Sequence, residues 1–418
     1  MEAVLDLIAV LLGLAALFGY FNHIFLKLPH TIGLVVIAMA VSLGVLAADA
    51  LAPSLALGDS VRGALNRIDF TEALMKGLLA FLLFAGALHV DLSDLATHKW
   101  VIGSMATIGV LISTGIIGVG AWAIFQAVGL TVSFAYCLVF GALISPTDPV
   151  AVLSILKQVA VPKSLEAKIA GESLFNDGVG VVVFAILAAI ATGAGGADIS
   201  PGSATLLFLA EAVGGAVLGL AAGWIAFLAM RSLDEHNIEV IITLALVTVI
   251  YAIAHKIHVS GLIAVVVAGL LIGNHGARLA MSDKTREHIK TFWSLLDEIL
   301  NSILFMLIGF EVIAISFAPS ILTAAVLAIP LALAARFVAV AIPVSLLRIR
   351  LAFSPGAIPI LTWGGLRGGI SVALALSLPP TPEREILLAA CYAVVIFSII
   401  VQGLTMARVV RRYAGTTS

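Results

Sequence analysis

Charge is scarce in this sequence. Only 11% of its 418 residues are Asp, Glu, Lys or Arg, against roughly 25% in a soluble globular domain. So few ionisable groups cannot clothe a water-exposed surface for a chain of this length. Cysteine is scarcer still. Cys137 and Cys391 both lie in apolar runs without disulfide or metal spacing and read as packing residues. A net charge of −2 provides no basic surface for nucleic acid. The alternating polar and apolar strands of a membrane barrel are missing. The first apolar run, Val4 to Tyr20, lacks a basic leader and a small-residue cleavage site, so no removable signal is expected.

What is present is hydrophobic sequence, 61% of the chain. Apolar runs long enough to cross a bilayer recur from end to end, which predicts an all-α polytopic membrane protein. We place thirteen spans near 4–22, 31–52, 70–90, 100–128, 131–157, 171–192, 203–230, 238–255, 259–275, 292–316, 320–347, 356–378 and 385–409. Lys27, Lys99, Lys157, Arg231, Lys284, Arg348 and Arg411 all fall on one side of this arrangement. Only Arg62, Arg67, Lys256 and Arg384 fall on the other. The basic side is cytoplasmic by the positive-inside rule. The N-terminus is then outside and the tail "RVVRRYAGTTS" inside, too short for a soluble regulatory domain. Segment 53–69 reads either as an interfacial helix or as a plain loop. Segment 277–291, "ARLAMSDKTREHIKT", reads as a solvated cytoplasmic linker.

A charged side chain at the centre of a spanning helix costs about 2.5–3.5 kcal/mol on insertion scales, so each needs a partner, a wet cavity or a function. The deepest are Asp148, Glu172, Asp177 and Arg367, with Glu211, Glu298, Glu311 and Arg336 behind them. In "GESLFNDGVG" (171–180), Ser173 and Asp177 are i,i+4 and share a helix face. Glu172 and Asn176 form a second such pair, rotated by about 100°. Hydroxyl, carboxylate and amide oxygens suit a hard cation and not a soft metal.

Two spans are interrupted. Span 5 contains "ISPTDP", where Pro146 and Pro149 bracket Thr147 and Asp148. Proline removes a backbone donor, and freed carbonyls at membrane depth are tolerated only in protein or beside a cavity. Span 12 contains "TWGGLRGGI", four glycines around Arg367. Broken helices at corresponding positions point to a secondary transporter built from inverted repeats. The repeats would cover about 1–192 and 238–410, joined by a linker helix at about 203–230, all within one membrane domain. Gly215, Gly219 and Gly223 on span 7 form a small-residue ridge for packing within the chain. Glu72 and Lys76 read as a simple i,i+4 pair. Asp297 and Glu298 read as funnel-lining or interfacial.

At "SPTDPVAV", "GESLFNDG" and "WGGLRGGISVALAL" the chain resembles sodium/proton antiporters of the NhaP/NHE type, the electroneutral branch of the cation/proton antiporters. The resemblance implies thirteen helices, a dimerisation domain, a mobile core and two crossed broken helices. It implies a homodimer in the lipid bilayer, specifically a prokaryotic cytoplasmic (inner) membrane, serving pH homeostasis. The implied activity is one-for-one exchange of Na+ (or Li+ or K+) for H+. No cofactor is implied beyond these transported ions, and no enzymatic reaction. By motif position, Asp177 corresponds to the ion-binding aspartate and Asn176 to its neighbour. Ser173 and the Thr147 carbonyl correspond to Na+ ligands, with Asp148 a ligand or dipole-compensating carboxylate. Glu172 and Arg367 correspond to a buried ion pair. One departure concerns span 3, which carries His89 and no mid-span carboxylate, so a pH-sensing acid is missing there. The competing reading is an intramembrane aspartyl protease using Asp148 and Asp177. It lacks a Gly-x-Gly-Asp context and leaves the paired breaks unexplained.

Overall fold

The structure is a computed structural model, described here for residues 2–51, 78–148, 152, 163–193, 201–314, 318–349, 351, 353 and 356–413. Segment 53–69, Glu72, Lys76 and Pro149 lie outside these residues. Every expected span has a helical counterpart within them. The helices are α1 (Glu2–Phe21), α2 (His30–Leu51), α3 (Leu79–His89), α4 (Leu92–Ala127), α5 (Phe134–Ile144), α6 (Lys163–Thr192), α7 (Pro201–Arg231) and α8 (His236–Lys256). They continue with α9 (Gly261–Gly276), α10 (Asp283–Phe310), α11 (Pro319–Leu347), α12 (Ala357–Trp363), α13 (Gly369–Leu376) and α14 (Pro382–Tyr413). Among the described residues, eight helices are long and apolar enough to cross a membrane, and no strand occurs.

Three helices start well before their expected bounds: α6 begins at Lys163, eight residues early, and at the other two a side-chain cap sets the start. Helix α4 starts eight residues early because the Asp91 carboxylate accepts from the Ser93 amide at 2.7 Å. Helix α10 starts at Asp283, inside the segment read as a linker. Ser282 accepts from the Thr285 amide at 3.3 Å, and Asp283 sits favourably in the first turn. Thr285, Ile289 and Trp293, at four-residue spacing, bury one face of this charged segment. The charge misled the hydropathy reading, because only the solvent side of the helix carries it.

The side chains bury into two main clusters. One joins α4, α5, α6, α11, α12, α13 and α14, with Leu304, Phe305 and Ile308 of α10 and Ile32 and Val35 of α2 against it. The other joins α3, α7, α8, α9 and the first half of α10 around Trp293, whose Nε1 donates to Thr243 Oγ1 at 2.9 Å. In the second cluster the ridge of Gly215, Gly219 and Gly223 lies directly against Ser260, which caps α9, and Ala264 and Ala268 of α9, as expected for packing within the chain. Cys137 and Cys391 are free and buried. His89 ends α3, its Nδ1 at 2.7 Å from the Ala85 carbonyl and its Nε2 at 3.0 Å from Ser294 Oγ.

Candidate ion site at the two helix breaks

Helix α5 ends at Ile144, and Ser145 turns its hydroxyl back onto the Gly141 carbonyl at 2.7 Å. Pro146 cannot donate to the helix, and the chain bends out of the helical path through Asp148. The second break lies between α12 and α13, where residues 364–368 leave the helical path. The two breaks meet. The Asp148 amide donates to the Leu366 carbonyl at 2.8 Å. The Arg367 guanidinium donates to the Ser145 carbonyl and, at 2.7 Å, to that of Pro146. A cation placed on carbonyls freed at a helix C-terminus opposes the negative end of its dipole. Gly368 is needed at this crossing, because a Cβ there would overlap the Asp148 carboxylate.

Each break is held by the helix that follows it. On α6, Asn176 Oδ1 accepts from the Thr147 amide at 3.3 Å, and its Nδ2 donates to Thr147 Oγ1 at 2.8 Å. On α14, Ser398 Oγ accepts from the Arg367 amide at 2.8 Å, and Gln402 Nε2 donates to the Trp363 carbonyl at 3.1 Å. Ser398 and Gln402 bound a π turn, the geometry that often marks a functional kink. Neither was singled out from the sequence. Their i,i+4 spacing in an apolar last span, the same spacing as Ser173 and Asp177, is the signal that identifies them.

Ser173 and Asn176 of α6 both contact Thr147 at the first break. Ser173 Oγ lies 2.9 Å from Thr147 Oγ1, so the Thr147 hydroxyl, besides its backbone, faces this helix. Asp177 lies one turn further along α6. It is buried, and its Oδ1 has no hydrogen-bond partner. Half-buried Asp148 stands at the crossing of the breaks, held by its amide on the Leu366 carbonyl. A buried carboxylate oxygen without a donor carries a desolvation penalty of about 1–3 kcal/mol or more. A bound proton or cation removes that penalty. Thr147, Ser173, Asn176 and Asp177 are all within 3% of full burial, so bulk water does not reach their side chains.

One expected contact is replaced. Glu172 pairs with Arg336 of α11, not with Arg367: Arg336 Nη2 donates to Oε2 at 2.9 Å and Nη1 to Oε1. Arg336 Nη2 also donates to the Leu361 carbonyl of α12 at 3.0 Å. The bidentate fork occupies both carboxylate oxygens. Arg367 cannot compete for them, because the Asp148–Leu366 backbone bond sets its register and directs it to the end of α5. Arg336 thus braces α6 against α11 and α12, and Arg367 holds the end of α5.

A family profile described as the transmembrane region of sodium/hydrogen exchangers matches residues 12–412. The chain belongs to the sodium/hydrogen exchanger family. It is 49% identical over 416 residues to a protein named Na(+)/H(+) antiporter NhaP from Pseudomonas aeruginosa, covering 98% of this chain and 97% of that one. It is 34% identical to Na(+)/H(+) antiporter NhaH of Halobacillus dabanensis, covering 93% and 92% of the two chains. Its fold is similar to that of the sodium proton antiporter MjNhaP1 from Methanocaldococcus jannaschii, with a TM-score of 0.77 over 99% of each chain at 20% identity. For this exchanger-family chain, the all-α polytopic fold expected from the spans is the fold observed.

Proposed function

We propose that this exchanger-family protein is an electroneutral antiporter that exchanges one monovalent cation, Na+ first, for one proton, with Asp177 as the shared carrier. The observation that carries the reading is the buried Asp177 Oδ1, left without a partner one helix turn from Ser173, whose hydroxyl meets that of Thr147 at the first break. Ser173, Thr147 and Asp177 would ligate the cation. Asn176 fixes the Thr147 amide and carries no second titrating carboxylate. Asp148 completes the negative field around the site, and Arg367 offsets it at the α5 end. Relatives named as Na(+)/H(+) antiporters over nearly the whole chain support the choice of ions.

A carboxylate that binds a proton or a cation, and never both, couples the two fluxes if its access alternates between the membrane faces. The cluster holding both breaks is the moving body in this proposal, and the α3, α7, α8, α9 cluster is the static one. The repeats at about 1–192 and 238–410, the homodimer, the outside N-terminus and the cytoplasmic C-terminus belong to the same proposal. Capping of each broken helix by its successor, Asn176 for the first and Ser398 for the second, supports the repeat assignment.

The test is Na+-driven proton movement in proteoliposomes, with and without a potassium–valinomycin potential. A cycle that moves no net charge is indifferent to voltage, whereas each net charge couples to about 2.3 kcal/mol per 100 mV. Asp177→Asn should abolish exchange. A rate that tracks the imposed potential rejects electroneutrality, and full activity in Asp177→Asn rejects the carrier.

A further inference from the structure

A second polar cavity lies at the α1–α2 turn and involves neither broken helix. Its volume is about 400 Å³, and Gly19, Asn22, His23, Lys27, Leu28 and His30 line it. Two histidines and a lysine line it, and no carboxylate does among the described residues. Helix α2 begins at His30, so its first amides add the positive end of a helix dipole.

The cavity is preformed. Asn22 is buried in the π turn that closes α1; its Nδ2 donates to the Leu28 carbonyl at 2.9 Å and its Oδ1 accepts from the Leu28 amide at 3.3 Å. The Lys27 amide closes the turn on the Asn22 carbonyl at 2.7 Å, which puts Lys27 in the left-handed region at φ 53°. His30 Nε2 lies 2.8 Å from Ser302 Oγ. Ser302 already donates to the Glu298 carbonyl at 2.6 Å, so it accepts from His30 and fixes that ring.

Beside the polar pocket is an apolar ledge. Tyr20 is 66% exposed and Phe25 65%, with Phe21 and Ile24 also exposed, and the Phe21 and Phe25 rings lie 4.6 Å apart. Water disfavours such a strip, and acyl chains do not. A soluble phosphate would use the pocket and leave the ledge bare. We propose that the α1–α2 turn binds an anionic phospholipid, its phosphate among His23, Lys27 and His30 and its acyl chains along Tyr20, Ile24 and Phe25. Basic residues at the ends of spanning helices are the usual partners of acidic headgroups, each contributing about 1 kcal/mol, or about fivefold in affinity.

The full-length protein in detergent would be titrated with phosphatidylglycerol, with phosphatidylcholine and with inorganic phosphate, and bound lipid counted by native mass spectrometry. The expected result is preferential phosphatidylglycerol binding that Lys27→Asn weakens about fivefold and His23→Gln weakens further. Lys27→Arg should retain it. Asparagine is chosen at position 27 because it tolerates the left-handed backbone there. Equal binding of the two lipids overturns the proposal, as does an unchanged phosphatidylglycerol affinity in well-folded Lys27→Asn/His23→Gln. Inorganic phosphate binding as tightly as the lipid would assign the pocket to a soluble anion and overturn the lipid assignment.

Discussion

Glu172 and Arg336 form a buried bidentate ion pair between α6 and α11, and Arg336 extends it to the Leu361 carbonyl on α12. One side chain therefore ties the helix carrying Asp177 to the helix entering the second break. Leaving one member of such a pair buried alone costs about 3–5 kcal/mol. Glu172→Ala and Arg336→Ala should each lower thermal stability in detergent by an amount of that order, and the double variant should lose less than the sum. In a parallel cycle, Glu172→Ala and Arg367→Ala should show much weaker coupling. A stronger coupling to Arg367 than to Arg336 would contradict the geometry.

Asn176 and Ser173 make separable contributions. Asn176→Ala strands the Thr147 amide and one hydrogen bond to its hydroxyl, a loss of about 1–3 kcal/mol. It should reduce both stability and apparent Na+ affinity. Ser173→Ala removes one neutral ligand and keeps every charge. Transport should persist with a higher half-saturating Na+ concentration, measured by exchange in proteoliposomes. An unchanged value would remove Ser173 from the site.

The crossing of the breaks depends on Gly368 and Ser398. Gly368→Ala sets a methyl group against the Asp148 carboxylate, and overpacking of this kind costs about 1–3 kcal/mol. Exchange should fall sharply in Gly368→Ala even where the protein still purifies as a folded species. Ser398→Ala strands the Arg367 amide and should lower the melting temperature, while Ser398→Thr, which keeps the hydroxyl, should restore it. Wild-type activity in Gly368→Ala would mean that the breaks move apart during the cycle.

Protons and cations should compete at Asp177. Below the pH at which Asp177 takes up its proton, the half-saturating Na+ concentration should rise by about tenfold per pH unit, because each cation must displace one proton. Above that pH it should level off. Isothermal titration of Na+ across pH, with proton release counted in two buffers, reads this directly. A Na+ affinity that is flat with pH would exclude a shared carboxylate.

Much of this molecule was legible along the chain. Hydropathy located the helices because crossing a bilayer is a local property of about twenty residues. Pro146 and the glycines of 364–369 marked the breaks because they act on their own backbone. The i,i+4 spacing placed Ser173 and Asp177 on one face without knowledge of any neighbour. The charged start of α10 was misread because a linker and an amphipathic helix share a composition. Ser282 capping and the buried faces of Ile289 and Trp293 distinguish them.

Pairings between distant residues were decided by tertiary structure alone. Glu172 had two arginines within the chain's reach, Arg336 and Arg367, and composition treats them alike. The backbone bond from Asp148 to Leu366 sets the register of the second break, which commits Arg367 to the carbonyls of Ser145 and Pro146 and leaves Glu172 to α11. Sequence determined which groups are too costly to bury alone. Packing determined which partner each one met, because a hydrogen bond requires two groups within about 3 Å, and only the folded register sets that distance.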